Sequence, residues 1–360
     1  MNIIVNASMM RASGTLSIYR QFIHHLPFYK GDNRYYIFVD SSMDQPDIDG
    51  VTYVHDNNHS KFHYIWWSFC GLNRWLKEHN IEPSVIVSLQ NTGTYTSCRQ
   101  VIYYHNPLPF YKQKWSFLKS SERSMAVYKH IYPYIVKSTI TSNTKVVVQI
   151  PFIKRGFISW FKFDPEKVYV LFPDVEKIES GNIEPYPFEK GLFHFLFPAT
   201  NVPYKGHCKL VRVMDELKKI NPLLASRIRI HLTLKEHEHP ALCESIKEYD
   251  TAENFVFHGI MPHEKLLSFY KAATGLLFPS TIETLGLPLL EAGAFGLPII
   301  VSDLEYAHEV LDKYEGAKYI DSQDYKAWAV MIEKICEEKM SYQPIVPKET
   351  SWKKFFEILG

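Results

Sequence analysis

Short runs of β-branched and aromatic residues alternate with helical patterns along the chain, and this alternation constrains the fold more than any other feature. The runs lie at 3–7, 35–40, 85–89, 100–105, 145–150, 168–172, 192–198, 227–233, 254–258, 275–279 and 298–302. Strands that alternate with helices are typical of parallel sheets covered by helices on both faces. We therefore predict an α/β protein that binds its ligands at the carboxyl ends of the strands.

The length and the turn-forming residues indicate two domains. The chain has 360 residues, 46% of them hydrophobic, which is enough for two separate cores. Turn-formers cluster at 163–190, between two halves of similar size. We predict an N-terminal domain over 1–170, a C-terminal domain over 171–345 and a terminal helix over 346–360 that crosses back to the N-terminal domain. Two such domains would enclose a deep cleft, a common place for a ligand.

Composition excludes several classes of protein. The formal net charge of +1 does not favour nucleic-acid binding. The five cysteines are odd in number and never at CxxC spacing, which argues against a disulfide framework and a zinc site. The sequence shows no signal peptide and no apolar run of about 18 residues. We expect a cytoplasmic protein, with peripheral attachment to the inner face of the membrane as an open hypothesis.

The segment from Pro279 to Asp303 carries the strongest chemical signal. A buried strand at 275–279 leads into a loop with Glu283, and Pro288 suits the first turn of a helix that contains Glu291. A strand, loop and helix in this order place free amides near Gly286 at the ligand edge of a sheet, where they favour anions such as phosphate. Glu291 alone could also be a favourable partner of the helix dipole.

This segment, PSTIETLGLPLLEAGAFGLPIIVSD, resembles the signature of retaining glycosyltransferases of family 4. That signature has two glutamates separated by seven residues, then a small-residue helix and a G-x-P strand, and the stretch 258–270 extends the similarity upstream. The resemblance implies the GT-B fold. In that fold two Rossmann-like domains with parallel sheets face each other across a deep interdomain cleft, the acceptor on the N-terminal domain and the donor on the C-terminal one.

The resemblance also implies roles for individual residues. Glu291 should accept hydrogen bonds from the ribose hydroxyls of a nucleotide, a task that suits the two oxygens of a carboxylate. Glu283 should face the donor sugar. The backbone amides around the following turn should line the diphosphate or the sugar, and they belong to Thr284, Leu285, Gly286 and Leu287.

Lys205 is the candidate phosphate ligand. It follows the strand at 192–198, and Gly206 beside it would let the backbone approach a ligand closely. A solvated surface lysine is the alternative. The family has a Lys-Gly or Lys-Asn here, preceded by an arginine that also contacts phosphate. Ala199 and Thr200 occupy that arginine's position. Lys205 would then neutralise the diphosphate with help only from helix N-termini and hydroxyls.

The N-terminal half offers two further candidates. The family has paired glycines after its first strand, which let the backbone approach the donor phosphates and the acceptor closely. This chain has only Gly14 there. No GxGxxG follows that strand, which weakens a dinucleotide-binding alternative. His105 ends the strand at 100–105, where relatives place a histidine near the transferred sugar; a structural hydrogen-bonding role is the alternative. The polar loop at 88–94 should line the cleft or face solvent.

Two stretches interleave aromatic and basic residues, at 110–137 and 152–162. Such patterns suit an anionic bilayer surface or a lipid-diphosphate acceptor. Ordinary amphipathic helices with solvated lysines give the same pattern. Membrane contact is therefore a hypothesis.

The resemblance implies a function. A sugar would pass from a nucleotide-diphosphate sugar to a glycan or lipid-linked acceptor with retention of configuration, as in the synthesis of bacterial O-antigen or capsule. The leaving diphosphate would deprotonate the acceptor hydroxyl, with Glu283, His105 and Lys205 at the reacting centre and no metal or cofactor. Two alternatives stay open: a nucleotide-sugar-binding protein without transferase activity, and another GT-B enzyme such as a sugar epimerase. A phosphorylase would normally need a pyridoxal-binding lysine in a longer chain.

Overall fold

The computed structural model describes residues 1–11, 13–174, 183–345 and 351–360. Part of the predicted boundary stretch (175–182) and the start of the predicted terminal segment (346–350) lie outside the described residues. The chain forms two compact units, Met1–Asp174 together with Lys348–Gly360, and Val175–Pro347. We refer to them as the N-terminal and the C-terminal domain.

The N-terminal domain is built on a seven-stranded parallel sheet in the order β3-β2-β1-β4-β5-β6-β7. Its strands are β1 (Asn2–Asn6), β2 (Arg34–Val39), β3 (Val51–His55), β4 (Val85–Ser88), β5 (Gln100–Tyr103), β6 (Thr144–Val148) and β7 (Val168–Val170). The central strands are buried along their length, as expected for a sheet with helices on both faces.

The helices of this domain are α1 (Ser13–Tyr29), α2 (Lys61–Trp66), α3 (Leu72–Glu78), α4 (Arg123–His130), α5 (Tyr132–Thr139), α6 (Pro151–Phe161) and α14 (Trp352–Leu359). A π-helical segment, Trp67–Gly71, joins α2 to α3. The core contains apolar side chains of β1, β2, β4 and α1 together with those of α14.

Helix α14 is held by packing at one face and by hydrogen bonds at its end. Phe356 stacks on Phe22 of α1 at 5.5 Å between ring centroids. Lys145 donates to the carbonyl of Ile358 at 3.1 Å, and Arg99 donates to the carbonyl of Gly360 at 3.1 Å. Cations at the C-terminal end of a helix satisfy carbonyls that lack an intrahelical partner and complement the dipole. The helix that the structure shows in this terminal segment spans Trp352–Leu359.

The C-terminal domain is built on a six-stranded parallel sheet in the order β10-β9-β8-β11-β12-β13. Its strands are β8 (Phe193–Phe197), β9 (Ile228–Leu232), β10 (Phe255–Phe257), β11 (Gly275–Phe278), β12 (Ile299–Ser302) and β13 (Ala317–Ile320). The helices are α7 (His207–Ile220), α8 (Pro222–Ala225), α9 (Pro240–Glu248), α10 (His263–Ala272), α11 (Leu287–Ala294), α12 (Glu305–Leu311) and α13 (Tyr325–Glu338).

Each sheet has a switch point, where the strand order reverses and the loops on either side diverge. In the N-terminal domain it lies between β1 and β4, and in the C-terminal domain between β8 and β11. Ligands of open parallel sheets bind in the crevice at such points. The two switch points therefore mark where each domain is most suited to hold a ligand.

The strand pattern predicted from the sequence is confirmed except for two of the four edge strands, β3 and β13. Neither has a fully buried residue, whereas the predicted edge strands β7 and β10 have one each. An edge strand lacks the continuous apolar run that marks a central one. Within the described residues, no helix is long and apolar enough to cross a membrane.

Candidate functional site

The two loops at the C-terminal switch point are joined by an ion pair. Lys205 ends a 3-10 turn (Pro203–Lys205) after β8, and its Nζ lies 2.5 Å from Oε1 of Glu283 in the loop after β11. The two side chains are 16% and 9% exposed, so the pair is largely shielded from water. The loops are also tied by their backbones, since the amide of Thr281 donates to the carbonyl of Tyr204 at 2.8 Å. The structure thus brings together two residues that the sequence places 78 positions apart.

Gly206 is required by this arrangement. Its φ of +80° is unfavourable for any residue with a Cβ. A Cβ there would lie 3.0 Å from the carbonyl oxygen of Pro279 and 3.1 Å from Cδ of Lys209. The glycine therefore lets the Lys205 loop approach the end of β11 closely.

Lys209, which the sequence analysis did not select, is a second cation at this place. It lies in the first turn of α7, and its Nζ has no hydrogen-bond partner among the described residues. Burial lowers the pKa of the Lys209 ammonium to about 8, against a smaller opposing effect of Asp321. Its stem runs beside Gly206, the residue before α7, where the helix dipole disfavours a cation. Lys209 is thus a buried ammonium that no group in the described part of the domain hydrogen-bonds, although the charge of Asp321 acts on it.

The second glutamate of the motif is fixed by α10. Tyr270 donates its hydroxyl to Oε2 of Glu291 at 3.1 Å, and Nε2 of His263 lies 3.1 Å from Oε1. Burial raises the pKa of the Tyr270 hydroxyl well above its ordinary value, so this phenol stays a donor. A carboxylate has about four lone-pair positions, and these two contacts use two of them. Glu291 therefore retains the capacity to accept two further hydrogen bonds.

The turn between the two glutamates begins helix α11, as predicted. Gly286 precedes the helix with φ +71°, and the side chain of Leu285 is buried in the core. Thr284 and Leu287 on either side are partly exposed. The first turn of a helix leaves amides without intrahelical partners, and these amides attract anions. The side chain of Leu285 therefore serves the core, and any contact of this turn with an anion would go through its backbone amides.

His105 lies in the N-terminal domain and is uncharged. Its Nε2 is 2.9 Å from the carbonyl of Leu89, which can only accept, so Nε2 carries the proton and Nδ1 is an acceptor. The ring stacks on Tyr103 at 4.7 Å. Burial lowers the pKa of His105 to about 4. At neutral pH this side chain can accept a hydrogen bond from a hydroxyl, but it is not a cation.

Gly14 lies at the start of α1 and is exposed. A Cβ added there would meet no atom within 4 Å, so packing within the described residues does not require glycine. The loop at 88–94 is not a solvent loop, because Ser88, Gln90 and Thr92 are each at most 5% exposed.

The aromatic and basic stretches are largely folded into the N-terminal domain. Lys129 donates to the backbone carbonyls of Tyr111 and, at 2.6 Å, of Gln113, so its ammonium holds a loop. Helix α6 buries Phe157 and Phe161 in the domain core. Within residues 1–11, 13–174, 183–345 and 351–360, no group of three His, Cys, Asp or Glu side chains is placed to hold a metal ion.

Comparison with known proteins supports the fold and the motif. Residues 182–352 match the family model described as glycosyl transferases group 1. The chain is 25% identical over 236 residues to the O-antigen chain mannosyltransferase RfbU of Salmonella typhimurium. The aligned region covers 66% of this chain and 60% of that protein. The chain therefore spans somewhat over half the length of this relative.

Two solved structures share the architecture over nearly the whole chain. Sucrose-phosphate synthase from Thermosynechococcus elongatus has a TM-score of 0.69 at 15% identity, covering 94% of this chain and 90% of that one. WaaG, a glycosyltransferase involved in lipopolysaccharide biosynthesis, has a TM-score of 0.64 at 16% identity, covering 94% and 93%. The two parallel-sheet domains and this structural similarity together confirm the predicted GT-B fold class.

Proposed function

We propose that the protein is a retaining glycosyltransferase that uses a nucleotide-diphosphate sugar. The match of residues 182–352 to the family model of glycosyl transferases group 1, together with the motif around Glu283 and Glu291, supports this proposal. The acceptor is a glycan or a lipid-linked glycan. The relative named as an O-antigen chain mannosyltransferase supports a role in bacterial surface polysaccharide synthesis and a hexosyl donor.

The observation that carries this proposal is the ion pair of Lys205 with Glu283 at the switch point between β8 and β11. A phosphate that enters this crevice would compete with the Glu283 carboxylate for the Lys205 ammonium. Charge-assisted hydrogen bonds of this kind are short and strong, and Lys205 would keep one throughout. Glu283 would be released to accept hydrogen bonds from hydroxyls of the donor sugar.

Lys209 takes the place of the arginine that the family carries near the diphosphate. Its ammonium is buried, has no hydrogen-bond partner among the described residues and lies beside Gly206, next to Lys205 in the chain. A diphosphate leaving group develops negative charge as the glycosidic bond breaks, and preorganised cations in a dry site stabilise that charge. Lys205, Lys209 and the N-terminal amides of α11 are the groups proposed to do so.

Glu291 binds the ribose of the donor with the lone pairs that His263 and Tyr270 leave available. His105 accepts a hydrogen bond from a sugar hydroxyl through Nδ1, consistent with its neutral state. The departing diphosphate, and not a side chain, takes the proton from the acceptor hydroxyl. Gly14 allows donor or acceptor to approach the start of α1.

A donor-turnover assay tests the proposal. The protein is incubated with a panel of nucleotide-diphosphate hexoses, and release of nucleoside diphosphate is measured with and without glycan acceptors. We expect turnover of one donor and its loss in Glu291→Ala, with Glu264→Ala as a matched control because Glu264 is exposed on α10. Donor binding without any turnover would favour the nucleotide-sugar-binding alternative. Turnover that is unchanged in Glu291→Ala would contradict the assignment of the site.

A further inference from the structure

The N-terminal switch point contains a pocket, and the chemistry of the pocket lining differs from that of the C-terminal site. The pocket has a volume of about 270 Å³, close to the lower end of ligand pockets. It lies after β1 and β4, between which the strand order of this sheet reverses. Its lining residues are Met9, Met10, Thr15, Tyr64, Ile65, Gln90, Asn91, Val127, Tyr128, Tyr132 and Ile135.

Two tyrosine hydroxyls in the pocket wall, those of Tyr64 and Tyr132, are engaged with the protein. Tyr64 donates to the carbonyl of Gln90 at 2.5 Å, and its oxygen lies 3.0 Å from that of Tyr132. The Tyr132 hydroxyl also bonds the Thr92 hydroxyl. The walls therefore present mainly carbon: methionine, isoleucine, valine and tyrosine rings. A sugar ring would leave its hydroxyls unsatisfied against such walls, whereas an apolar group gains by leaving water.

One polar group in the pocket wall is not satisfied. The Oε1 atom of Gln90 accepts from the backbone amide of Met9 at 3.0 Å, and this contact identifies Nε2 as the other amide atom. Nε2 has no hydrogen-bond partner among the described residues, although Gln90 is only 5% exposed. The next residue, Asn91, has φ +67°, a left-handed conformation that is uncommon outside glycine and concentrates at ligand sites. Gln90 is thus a lining residue with a buried, unused donor, and an acceptor oxygen on a ligand would supply the missing partner.

The apolar surface continues outside the pocket. Tyr128 lines the pocket and is 37% exposed, and the neighbouring Ile131 and Tyr134 are 49% and 64% exposed. A chain too long for the pocket could extend across these side chains. The apolar pocket and the exposed apolar side chains beside it therefore suit part of a long apolar chain better than a compact small molecule.

We propose that this pocket binds the first apolar segment of a lipid-linked acceptor, next to the oxygen through which the lipid is attached. The segment is of the isoprenoid or the fatty-acyl type, which share the required chemistry. This inference rests on the proposed function, because it treats the occupant as the acceptor of the transferred sugar. It deepens that function by making the acceptor's lipid a recognition element of the N-terminal domain.

The test measures binding of geranyl phosphate, n-decyl phosphate and inorganic phosphate to the full chain by isothermal titration calorimetry. Ile135→Trp fills the pocket, and Leu223→Trp places a tryptophan on the exposed surface of α8, away from the pocket lining and its rim. We expect at least one of the two chain-bearing phosphates to bind the wild type and Leu223→Trp equally. Affinity should fall about 10-fold or more in Ile135→Trp, with inorganic phosphate unable to compete. The preferred chain then identifies the isoprenoid or the acyl class.

Several results would overturn the inference: equal affinity in Ile135→Trp and the wild type, displacement of the chain by inorganic phosphate, or no binding of either chain. Should Ile135→Trp fail to fold, Ile135→Gln keeps the volume, adds polarity and is expected to weaken binding as well. Nucleoside diphosphate release is measured in parallel on the same variants. Chain binding without donor turnover refutes the proposed function and the role of the chain as acceptor, but not the binding of the chain in the pocket. Turnover without pocket-dependent chain binding refutes this inference alone.

Discussion

The two switch points of this chain have the same topology and opposite chemistry. Between β8 and β11 the loops carry an ion pair, Lys205 with Glu283, and a second buried ammonium, Lys209. Between β1 and β4 the loops and helices enclose an apolar pocket in which the hydroxyls of Tyr64 and Tyr132 form hydrogen bonds with the protein. The C-terminal switch point thus has charged side chains that suit an anionic donor. The N-terminal switch point has apolar side chains that suit an apolar group of the acceptor. Fold determines where a ligand binds, and side chains determine which one.

The largest expected effect comes from Lys205→Ala. Removal of this ammonium takes away electrostatic stabilisation of the leaving diphosphate, so we expect donor turnover to fall by roughly 100-fold or more. Initial-rate measurements with the best donor of the panel check this. Lys219→Ala, which removes a lysine that forms exposed ion pairs on α7, should leave the rate unchanged. Comparable losses in both variants would show that the charged site has been wrongly located.

Lys209→Met should lower donor affinity by about 10-fold, since it removes one charged partner of the phosphate while it keeps the apolar stem. The wild type should also bind donor more weakly as pH rises through about 8, because the Lys209 ammonium of the free protein loses its proton there. Titration of donor binding from pH 6.5 to 9.5 checks both points. If the pH dependence near 8 persists in Lys209→Met, another group is responsible.

Lys205 and Lys209 differ in how clearly the sequence identifies them as site residues. Lys205 could be selected because Gly206 follows it at a recognisable position after a buried strand, whereas Lys209 looks like any surface lysine of an amphipathic helix. Its burial depends on Gly206 and the end of β11, which the chain brings beside α7 only by folding. The central strands were predictable from continuous apolar runs, while the edge strands β3 and β13 were not. The pocket arises from four helices and two loops, and no local pattern encodes it.

Tyr270→Phe tests whether α10 positions Glu291. Loss of the hydroxyl removes one of the two contacts that hold the carboxylate, so the KM for donor should rise about 5-fold with little change in kcat. Steady-state kinetics at varied donor concentration separate the two constants. A fall in kcat at constant KM would indicate instead that Tyr270 acts on the reacting centre.

The smallest effect is expected at His105 and concerns stability. Its pKa in the folded protein, about 4, is below the ordinary value near 6.5, so the unfolded chain binds the extra proton first on acidification. The contribution of neutral His105 is fully present above about pH 6.5 and is lost as pH falls towards 4. In His105→Phe, which can still stack on Tyr103, the fall in thermal stability between pH 7 and pH 5 should be smaller than in the wild type. An identical fall in both proteins would contradict the burial of a neutral ring.

Thermal unfolding with a panel of nucleotide-diphosphate sugars tests most directly whether the donor binds at the C-terminal switch point and not at the N-terminal one. A donor present at about 100 times its Kd should stabilise the folded protein by roughly 2.7 kcal/mol, a shift of several degrees in Tm. We predict this shift in the wild type and in Ile135→Trp, and its loss in Lys205→Ala. A shift that survives in Lys205→Ala and disappears in Ile135→Trp would place the donor at the apolar switch point and contradict the account.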